Sequence, residues 1–519
     1  MSVVQIWAED GTIHGMSKGL RGVFLPAISL DRGSPVPLYK QLYEAIRQAI
    51  LSGTLSKGLR LPSTRLLAAE LKVSRNIVVI AFEQLLAEGY IQSRTGAGTF
   101  VTKTLPDEVL QVQSHSAAGS RTLSERGKTI RKLAPFVAPP DPKLRYAPFR
   151  YGLPALDHLP LELWGRLLAQ HCRKASAEIA VHGDPAGLPR LREAIASYAG
   201  VARGVRCHAD QVIIINGSQQ GIDITARVLA DPGDVAIIED PGYIGARSAL
   251  QAAGIKLLPV KVDKDGLRVE VLTKKDLQAK LVYVTPSHQC PLGAVLSLAN
   301  RLELLEWAAR NGAWILEDDF DSEYRYATKP IPALQGLDRN GRVIYCGTFS
   351  KVLFPSLRLG YLIVPDDLLD SFVAARWISD RCSPLVEQSA LAEFISEGHF
   401  ASHIRRMRAL YMERRSVMID TIREELGDLL EIWDSEAGMH TIAWLPEDVE
   451  DTRVAAEAAA AGLNVGPVSD FALRPLSRGG LLLGYAAFTP AAIRKGVREL
   501  ASVLKKYARL SRRSASAAD

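Results

Sequence analysis

From Leu38 the apolar residues fall at every fourth position, Leu38, Leu42, Ile46 and Ile50, with polar residues between them. That spacing lays one apolar stripe along a helix over Pro37 to Leu51, and Gly53 and Gly58 end it. Pro62-Ser63-Thr64 opens a second short helix, with Ser63 at the N-cap and Leu67 and Leu71 facing inward. After Lys72-Val73, Ser74 caps a third helix over Arg75 to Glu88. It turns Val78, Ala81, Phe82, Leu85 and Leu86 to the core, and Gly89 stops it. Strand-like runs around Tyr90–Gln92 and Thr99–Val101 flank the Gly-rich stretch Arg94–Gly98, a hairpin pattern. From Lys103 to Arg145 periodicity gives way to Ser, Gly, Pro and mixed charge. Beyond it, strand-like runs alternate with helical patterns: Val212–Ile215, Val235–Ile238, Leu257–Val262, Leu281–Val284, Ala313–Leu316, Val343–Cys346 and Tyr361–Val364. Such alternation predicts an α/β domain, a mostly parallel sheet with helices on both faces. After Pro384 the chain turns helical, with a basic stretch from His399 to Arg415, then short strands and a last helix over Ala491 to Lys506.

A chain of 519 residues holds two or more domains. The patterns divide it into a disordered lead (residues 1–30, with Met16 a second candidate start), a small head (31–102), a flexible linker (103–146), a large body (147–508) and a disordered tail (509–519). A structureless run as long as the linker is unusual inside a compact domain, so it reads as a tether. Five cysteines, Cys172, Cys207, Cys290, Cys346 and Cys382, are scattered without metal-type spacing. Their odd number and dispersion point to a reducing cytoplasm and to no metal site. No apolar run has the length of a membrane helix. Net charge is +6, and residues 31–103 carry ten Lys or Arg against five Asp or Glu. A basic head on a near-neutral body suggests a polyanion partner for the head alone, although a solvated charged face reads the same way.

Three short helices and a Gly-rich hairpin compose a winged helix-turn-helix. Its third helix would present Ser74, Arg75 and Asn76 to the major groove, while Arg65 and Arg94 would reach phosphates or the minor groove. A small protein-binding helical domain is the bland alternative. Pro37-Leu-Tyr39, Leu61-Pro-Ser-Thr-Arg65, Val73-Ser-Arg75, Glu88-Gly-Tyr90 and Arg94-Thr-Gly-Ala-Gly-Thr-Phe-Val101 together resemble the GntR family of bacterial regulators. The resemblance implies operator DNA as partner. One branch of that family places a further arginine where Val79 stands, so its base contacts do not transfer here.

In the body, ligands are expected at the carboxyl ends of the strands. Asn216-Gly-Ser218-Gln219-Gln220 enters a helix and makes an anion site. Glu317-Asp318-Asp319 ends a strand with carboxylates that burial makes costly unless paired. Thr348-Phe-Ser350-Lys351 with Arg358 supplies hydroxyls, an amine and a guanidinium, a set suited to a phosphorylated aldehyde. Taken singly these are a helix cap, a structural ion pair or metal ligand, and a surface lysine.

Together with Gly183-Asp-Pro-Ala-Gly187, Glu239-Asp-Pro-Gly-Tyr243 and Thr285-Pro-Ser-His-Gln289 they resemble the fold-type I aminotransferases that depend on pyridoxal 5'-phosphate. Joined to a GntR-like head, the whole is similar to the MocR-type regulators. The resemblance implies that Lys351 is the Schiff-base lysine, that Asp318 pairs with the pyridine nitrogen and that Tyr243 stacks on the ring. It implies that Ser218, Gln219, Thr348, Ser350 and Arg358 hold the phosphate, and that His182 takes the place of a tyrosine reaching across a homodimer. Arg474 and Arg478 lie in the region expected to hold an effector carboxylate. Phe320 and Cys290 stand where the family has a tyrosine and an asparagine on the cofactor's phenolic oxygen, which disfavours fast transamination. The expected function is a transcription regulator that senses pyridoxal phosphate or an amino compound through an aldimine; an active aminotransferase with an accessory head is the alternative.

Overall fold

The computed structural model describes residues 28–105, 122–133, 141–174, 181–274, 278–326, 331–427, 429–433, 435 and 437–515. The chain forms two compact units, Met1–Thr122 and Leu123–Asp519.

In the first unit, helices α1 (Leu38–Leu51), α2 (Thr64–Glu70) and α3 (Arg75–Ala87) precede the hairpin of β1 (Ile91–Arg94) and β2 (Gly98–Val101). Leu42, Ile46, Ile50, Leu67, Val78, Ala81, Phe82 and Leu85 are buried together. Three of the four stripe residues of α1 thus pack with α3, while Leu38 at its start is only half-buried. Leu86 does not join them: it is 45% exposed, because it lies one step round the helix from Leu85. Ser63 accepts a hydrogen bond from the Leu66 amide (3.2 Å), as expected of an N-cap. Ser74 stands at the N-cap of α3 but its side chain makes no cap hydrogen bond. Gly89, at φ +83°, takes the left-handed turn that ends α3.

Part of the tether is ordered. A helix runs from Glu125 to Lys132, with the Ser124 hydroxyl accepting from the Gly127 amide (3.0 Å). Its residues are too polar for an apolar period to announce it. The boundary between the two units falls at its start, inside the segment expected to be wholly flexible. The proposed lead lies almost entirely outside the described residues.

The second unit is built on an eight-stranded sheet. Its strands are β3 (Val212–Ile215), β4 (Val235–Asp240), β5 (Lys256–Asp263), β6 (Gly266–Leu267), β7 (Leu281–Val284), β8 (Trp314–Asp319), β9 (Val343–Thr348) and β10 (Gly360–Ile363), in the order β3-β10-β9-β8-β7-β4-β5-β6. The strands from β5 through β4, β7 and β8 to β9 pair in parallel. Strand β10 is antiparallel to both neighbours. Alternate side chains go to opposite faces: Val343 and Tyr345 one way, Ile344 and Cys346 the other, each into its own layer of helices.

A smaller antiparallel sheet of β11 (Glu431–Ile432), β12 (His440–Trp444), β13 (Gly466–Pro467) and β14 (Gly480–Gly484) packs with the long helices His399–Leu426 and Pro490–Ala515. The last helix extends to Ala515, through most of the expected disordered tail, because no Gly or Pro interrupts its Arg, Ser and Ala residues. Among the described residues, no helix is long and apolar enough to cross a membrane.

Candidate functional site

In the head, the N-terminus of α3 exposes Ser74, Arg75 and Asn76. Arg65 on α2 is exposed nearby in sequence, and Arg75 Nε points to Thr64 Oγ1 at 3.4 Å, linking the two helices. At the hairpin Arg94 lies over the Phe100 ring, 5.0 Å from its centroid, which holds the guanidinium against the wing. The expected DNA-reading set therefore stands on exposed surface of one small unit. Arg60 is an addition: its guanidinium lies against Gly98, where a Cβ would come within 3.0 Å.

In the body, the carboxyl ends of the strands open on a chamber lined by Tyr243, Tyr283, Asp318, Thr348, Ser350 and Lys351, with Ser218, Gln219 and Arg358 at one end. The strand period selects Asp318 from its neighbours. Glu317 and Asp319 point to the other face, where Glu317 accepts from the Leu334 and Gln335 amides (both 2.8 Å). Asp319 there accepts from Arg203 Nε and the Tyr345 hydroxyl (both 2.7 Å). Asp318 alone faces the chamber. Its Oδ2 accepts from the Tyr283 hydroxyl (2.7 Å), and its Oδ1 is buried without a partner. Burial raises its carboxyl to about 7, against the Tyr283 hydrogen bond, which lowers it.

Lys351 follows β9. Its Nζ donates to the Gly152 carbonyl (3.1 Å), and burial pushes the amine below its ordinary value. Gly152 has φ +76°, and a Cβ there would stand 2.8 Å from Nζ. Tyr243, at the start of the helix Ile244–Ala252, turns its ring to the chamber and its hydroxyl to Gln219 Oε1 (3.3 Å). At the phosphate-like end the helix Ser218–Leu229 begins after Gly217, at φ +84°. The Arg358 guanidinium lies 3.2 Å from where a Gly217 Cβ would be, and its Nη2 donates to the Asn216 carbonyl (2.7 Å). Ser350 Oγ is buried without a partner.

These features fit pyridoxal phosphate. The orphaned Asp318 oxygen could accept from a pyridine N–H, the lone Ser350 hydroxyl and Arg358 suit a phosphate beside a helix N-terminus, and among the described residues Lys351 is the one amine lining the chamber. Phe320 and Cys290 also line it, so the two substituted positions do face the same space. Burial keeps Cys290 a thiol by pushing its pKa well up.

Three expected residues lie elsewhere. Arg478 is held by Glu431 (2.6 Å) and the Leu445 carbonyl (2.9 Å) and stacks on Trp444, so it is committed to the small sheet. Arg474 is exposed outside the chamber, and so within one chain is His182. Asp321, next to Phe320, lines the chamber too, and so do Tyr151, Gly152, Tyr283, Met439 and His440, which the sequence did not single out. Tyr283 sits in the apolar run of β7, where a hydroxyl looks like one more core residue. A larger open groove of about 1,020 Å³ lies among the helices Pro189–Arg203, Leu385–Ser396 and His399–Leu426, but none of the strand-end polar residues reaches it.

Head and body together define a GntR-type DNA-binding unit joined to a body of the aminotransferase fold. Residues 38–101 match the gntR family of bacterial regulatory proteins, and residues 153–500 match aminotransferase class I and II. The chain is 44% identical over 91% of its length, and 95% of the relative's, to the probable rhizopine catabolism regulatory protein MocR of Rhizobium meliloti. It is 32% identical over 92% of its length, and 98% of the relative's, to the pyridoxine biosynthesis transcriptional regulator PdxR of Corynebacterium glutamicum. Among solved structures, the α-aminoadipate aminotransferase LysN of Thermus thermophilus, complexed with N-(5'-phosphopyridoxyl)-L-leucine, aligns with TM-score 0.66 and 28% identity over 74% of this chain and 95% of its own. The chain belongs to the MocR-type subfamily of the gntR regulators. It is a DNA-binding transcriptional regulator whose body has the fold of a pyridoxal-phosphate-dependent family.

Proposed function

We propose that this regulator binds pyridoxal phosphate in the body chamber, acts as a cytoplasmic homodimer and changes its affinity for operator DNA when the cofactor, or an amino compound captured by it, fills that chamber. The observation that carries the reading is Asp318: a carboxylate buried at a strand end with one oxygen unpartnered, in the same chamber as Lys351. A buried carboxylate in that state is costly, and a protonated ring nitrogen relieves the cost. When bound, pyridoxal phosphate supplies an aldehyde carbon that captures primary amines. The chain's own residues then hold and orient it. Arg358, Ser218, Gln219, Thr348 and Ser350 anchor the phosphate, Tyr243 covers the ring, Asp318 holds the pyridine proton and Lys351 presents its amine. In the dimer, His182 would reach the partner's phosphate end.

Two measurements test this. Borohydride reduction of the protein with pyridoxal phosphate should leave a pyridoxyl adduct on Lys351, and none in Lys351→Ala. Binding to DNA upstream of its own gene, at fixed salt, should change when the cofactor is added. Binding indifferent to cofactor and amines would reduce the body to a dimerisation device. The near-complete cofactor set also supports a second reading, a working aminotransferase, which Phe320 and Cys290 weigh against. Steady conversion of an amino donor to its oxo acid would establish that reading instead.

A further inference from the structure

Tyr151 and Gly152 line the chamber, and Arg150 adjoins that lining in the same turn. Phe149 has φ +73° and Gly152 φ +76°, so left-handed backbone brackets Arg150 and Tyr151. For phenylalanine that conformation is unfavourable and persists only where the surroundings fix it. The Phe149 ring is fully buried in the core under the small sheet, and its carbonyl accepts from the Gly484 amide of β14 (2.8 Å). A Cβ on Gly484 would stand 2.4 Å from the Arg150 carbonyl, so the turn is clamped from that side. On the other side the Gly152 carbonyl accepts from Lys351 Nζ (3.1 Å). The fold therefore holds Arg150 two residues from the group that receives the Lys351 amine.

Arg150 Nη1 is buried without a partner, and among the described residues its guanidinium makes no hydrogen bond or ion pair. The acids lining the chamber are engaged elsewhere. Asp318 Oδ2 accepts from the Tyr283 hydroxyl (2.7 Å), and both Asp321 oxygens lie 3.0 Å from His288 Nδ1. A guanidinium is charged, donates in a planar fork and accepts nothing, so a buried, unpaired nitrogen on it is costly until an anion arrives. Burial first, and in smaller part the Arg150 charge, lower the Lys351 amine. Burial, then Cys290, push the Tyr151 hydroxyl up to about 12 against the pull of Arg150, so it remains a donor. The Tyr151 ring is edge-on to Phe471, 5.8 Å between centroids, and beside Gly466, where a Cβ would come within 3.3 Å.

Resting on the cofactor reading above, we propose that Arg150, with the Tyr151 hydroxyl, anchors the carboxylate of the amine that the chamber captures, so that the effector is an amine carrying an acidic group. Arg150 does from the start of the body what the sequence assigned to Arg474 and Arg478, of which the first lies outside the chamber and the second is held by Glu431. A carboxylate satisfies the fork with two parallel bonds, and the buried charge gains its counter-ion only when an effector is present. At the cofactor's aldehyde carbon the incoming free amine forms the carbon–nitrogen double bond that Lys351 gives up. Its two hydrogens end on the Lys351 nitrogen, so no co-reactant is needed.

The test uses the full-length, cofactor-loaded protein and probes matched except for charge: alanine against alaninamide, and 3-aminopropanoate against 3-aminopropanamide. The cofactor's visible absorption is followed as each is added. At least one carboxylated probe should half-saturate at a concentration about tenfold or more below its amide. Arg150→Gln, or Arg150→Met if it fails to fold, should remove that preference, while Arg150→Lys, which keeps the charge without the fork, should retain part of it. Comparing the ratio between wild type and variant cancels the difference in basicity between amino acid and amide. Tyr151→Phe should reduce the ratio by about two- to threefold. A carboxylate preference that survives loss of Arg150 overturns the proposal, as do equal or better binding of both amides and a lack of response to all four probes. Absence of a cofactor band that depends on Lys351 sinks the underlying reading and this inference with it. A normal band without a carboxylate preference that depends on Arg150 sinks the inference alone.

Discussion

Asp318 is placed against its own stability. Burial raises its carboxyl to about 7, far above an unfolded aspartate, so the folded chain favours the protonated form. The sign follows. Stability from this group is fully present below the unfolded pKa of about 4 and is lost as pH rises through about 7. Glu239, Glu317 and Glu323, each raised to about 7 with burial as first cause, act in the same direction. The cofactor-free protein should therefore melt higher at about pH 5 than at about pH 8. Asp318→Asn, which cannot ionise, should melt higher than wild type at the upper pH yet bind pyridoxal phosphate about 10- to 100-fold more weakly, having lost a charge-assisted bond. A variant that binds the cofactor as tightly as wild type would remove Asp318 from the site. Gly152→Ala makes the complementary prediction: a Cβ 2.8 Å from Lys351 Nζ, at φ +76°, should cost about 1–2 kcal/mol and abolish the Lys351 adduct, as thermal melts and borohydride labelling will show. At this scale the strand-end residues were legible because polar groups at the ends of apolar runs stand out. Tyr283 and His440 were not, since a tyrosine or histidine within such a run reads as core until the fold shows which way it turns, and Tyr151 lies in a turn with no pattern to mark it.

Elements followed the pattern wherever the period was strong. The seven strand runs of the body appear as β3, β4, β5, β7, β8, β9 and β10, and α1 to α3 appear in the head. Most of their apolar residues are buried on the faces that the twofold and fourfold spacings require, with Leu86 the clear exception. Direction was less visible: nothing in Tyr361–Val364 distinguishes antiparallel β10 from its parallel neighbours, because a buried strand is apolar on both faces either way. The polar helix Glu125–Lys132 and the extension to Ala515 were missed for the opposite reason, having no apolar stripe to read. The two serine caps yield a prediction at this scale. Ser63→Ala removes a formed cap bond and should cost the head about 1 kcal/mol in urea denaturation, while Ser74→Ala, whose side chain makes none, should cost a few tenths at most. On DNA the order should reverse. Ser74 stands beside Arg75 and Asn76, and its loss should weaken operator binding more than loss of Ser63. The wing behaves differently again: Arg94→Ala should weaken all sequences alike and reduce the slope of log affinity against log salt by about one. If it alters sequence preference instead, Arg94 reads bases.

At the scale of the whole molecule, the residues proposed to hold the cofactor and those proposed to read DNA lie in separate compact units, Leu123–Asp519 and Met1–Thr122. Any influence of one on the other must then be a difference in ligand affinity between two arrangements of the same chain, since a ligand that binds both equally shifts nothing however tightly it binds. Coupling of this kind is reciprocal. If a saturating amine changes the operator dissociation constant by some factor, saturating operator DNA must change the amine's dissociation constant by the same factor. The comparison requires only titrations of the full-length protein at one salt concentration, with DNA followed by fluorescence anisotropy and the amine by the visible absorption of the cofactor. Equal factors above one establish the body as a sensor linked to the head. A change in operator affinity with no matching change in amine affinity would place the amine's action outside this chamber, for instance on the DNA or on the state of assembly. A body lacking residues 1–122 should bind cofactor and amine with wild-type affinity and show no response to DNA, because every residue lining the chamber, from Tyr151 to His440, belongs to the second unit.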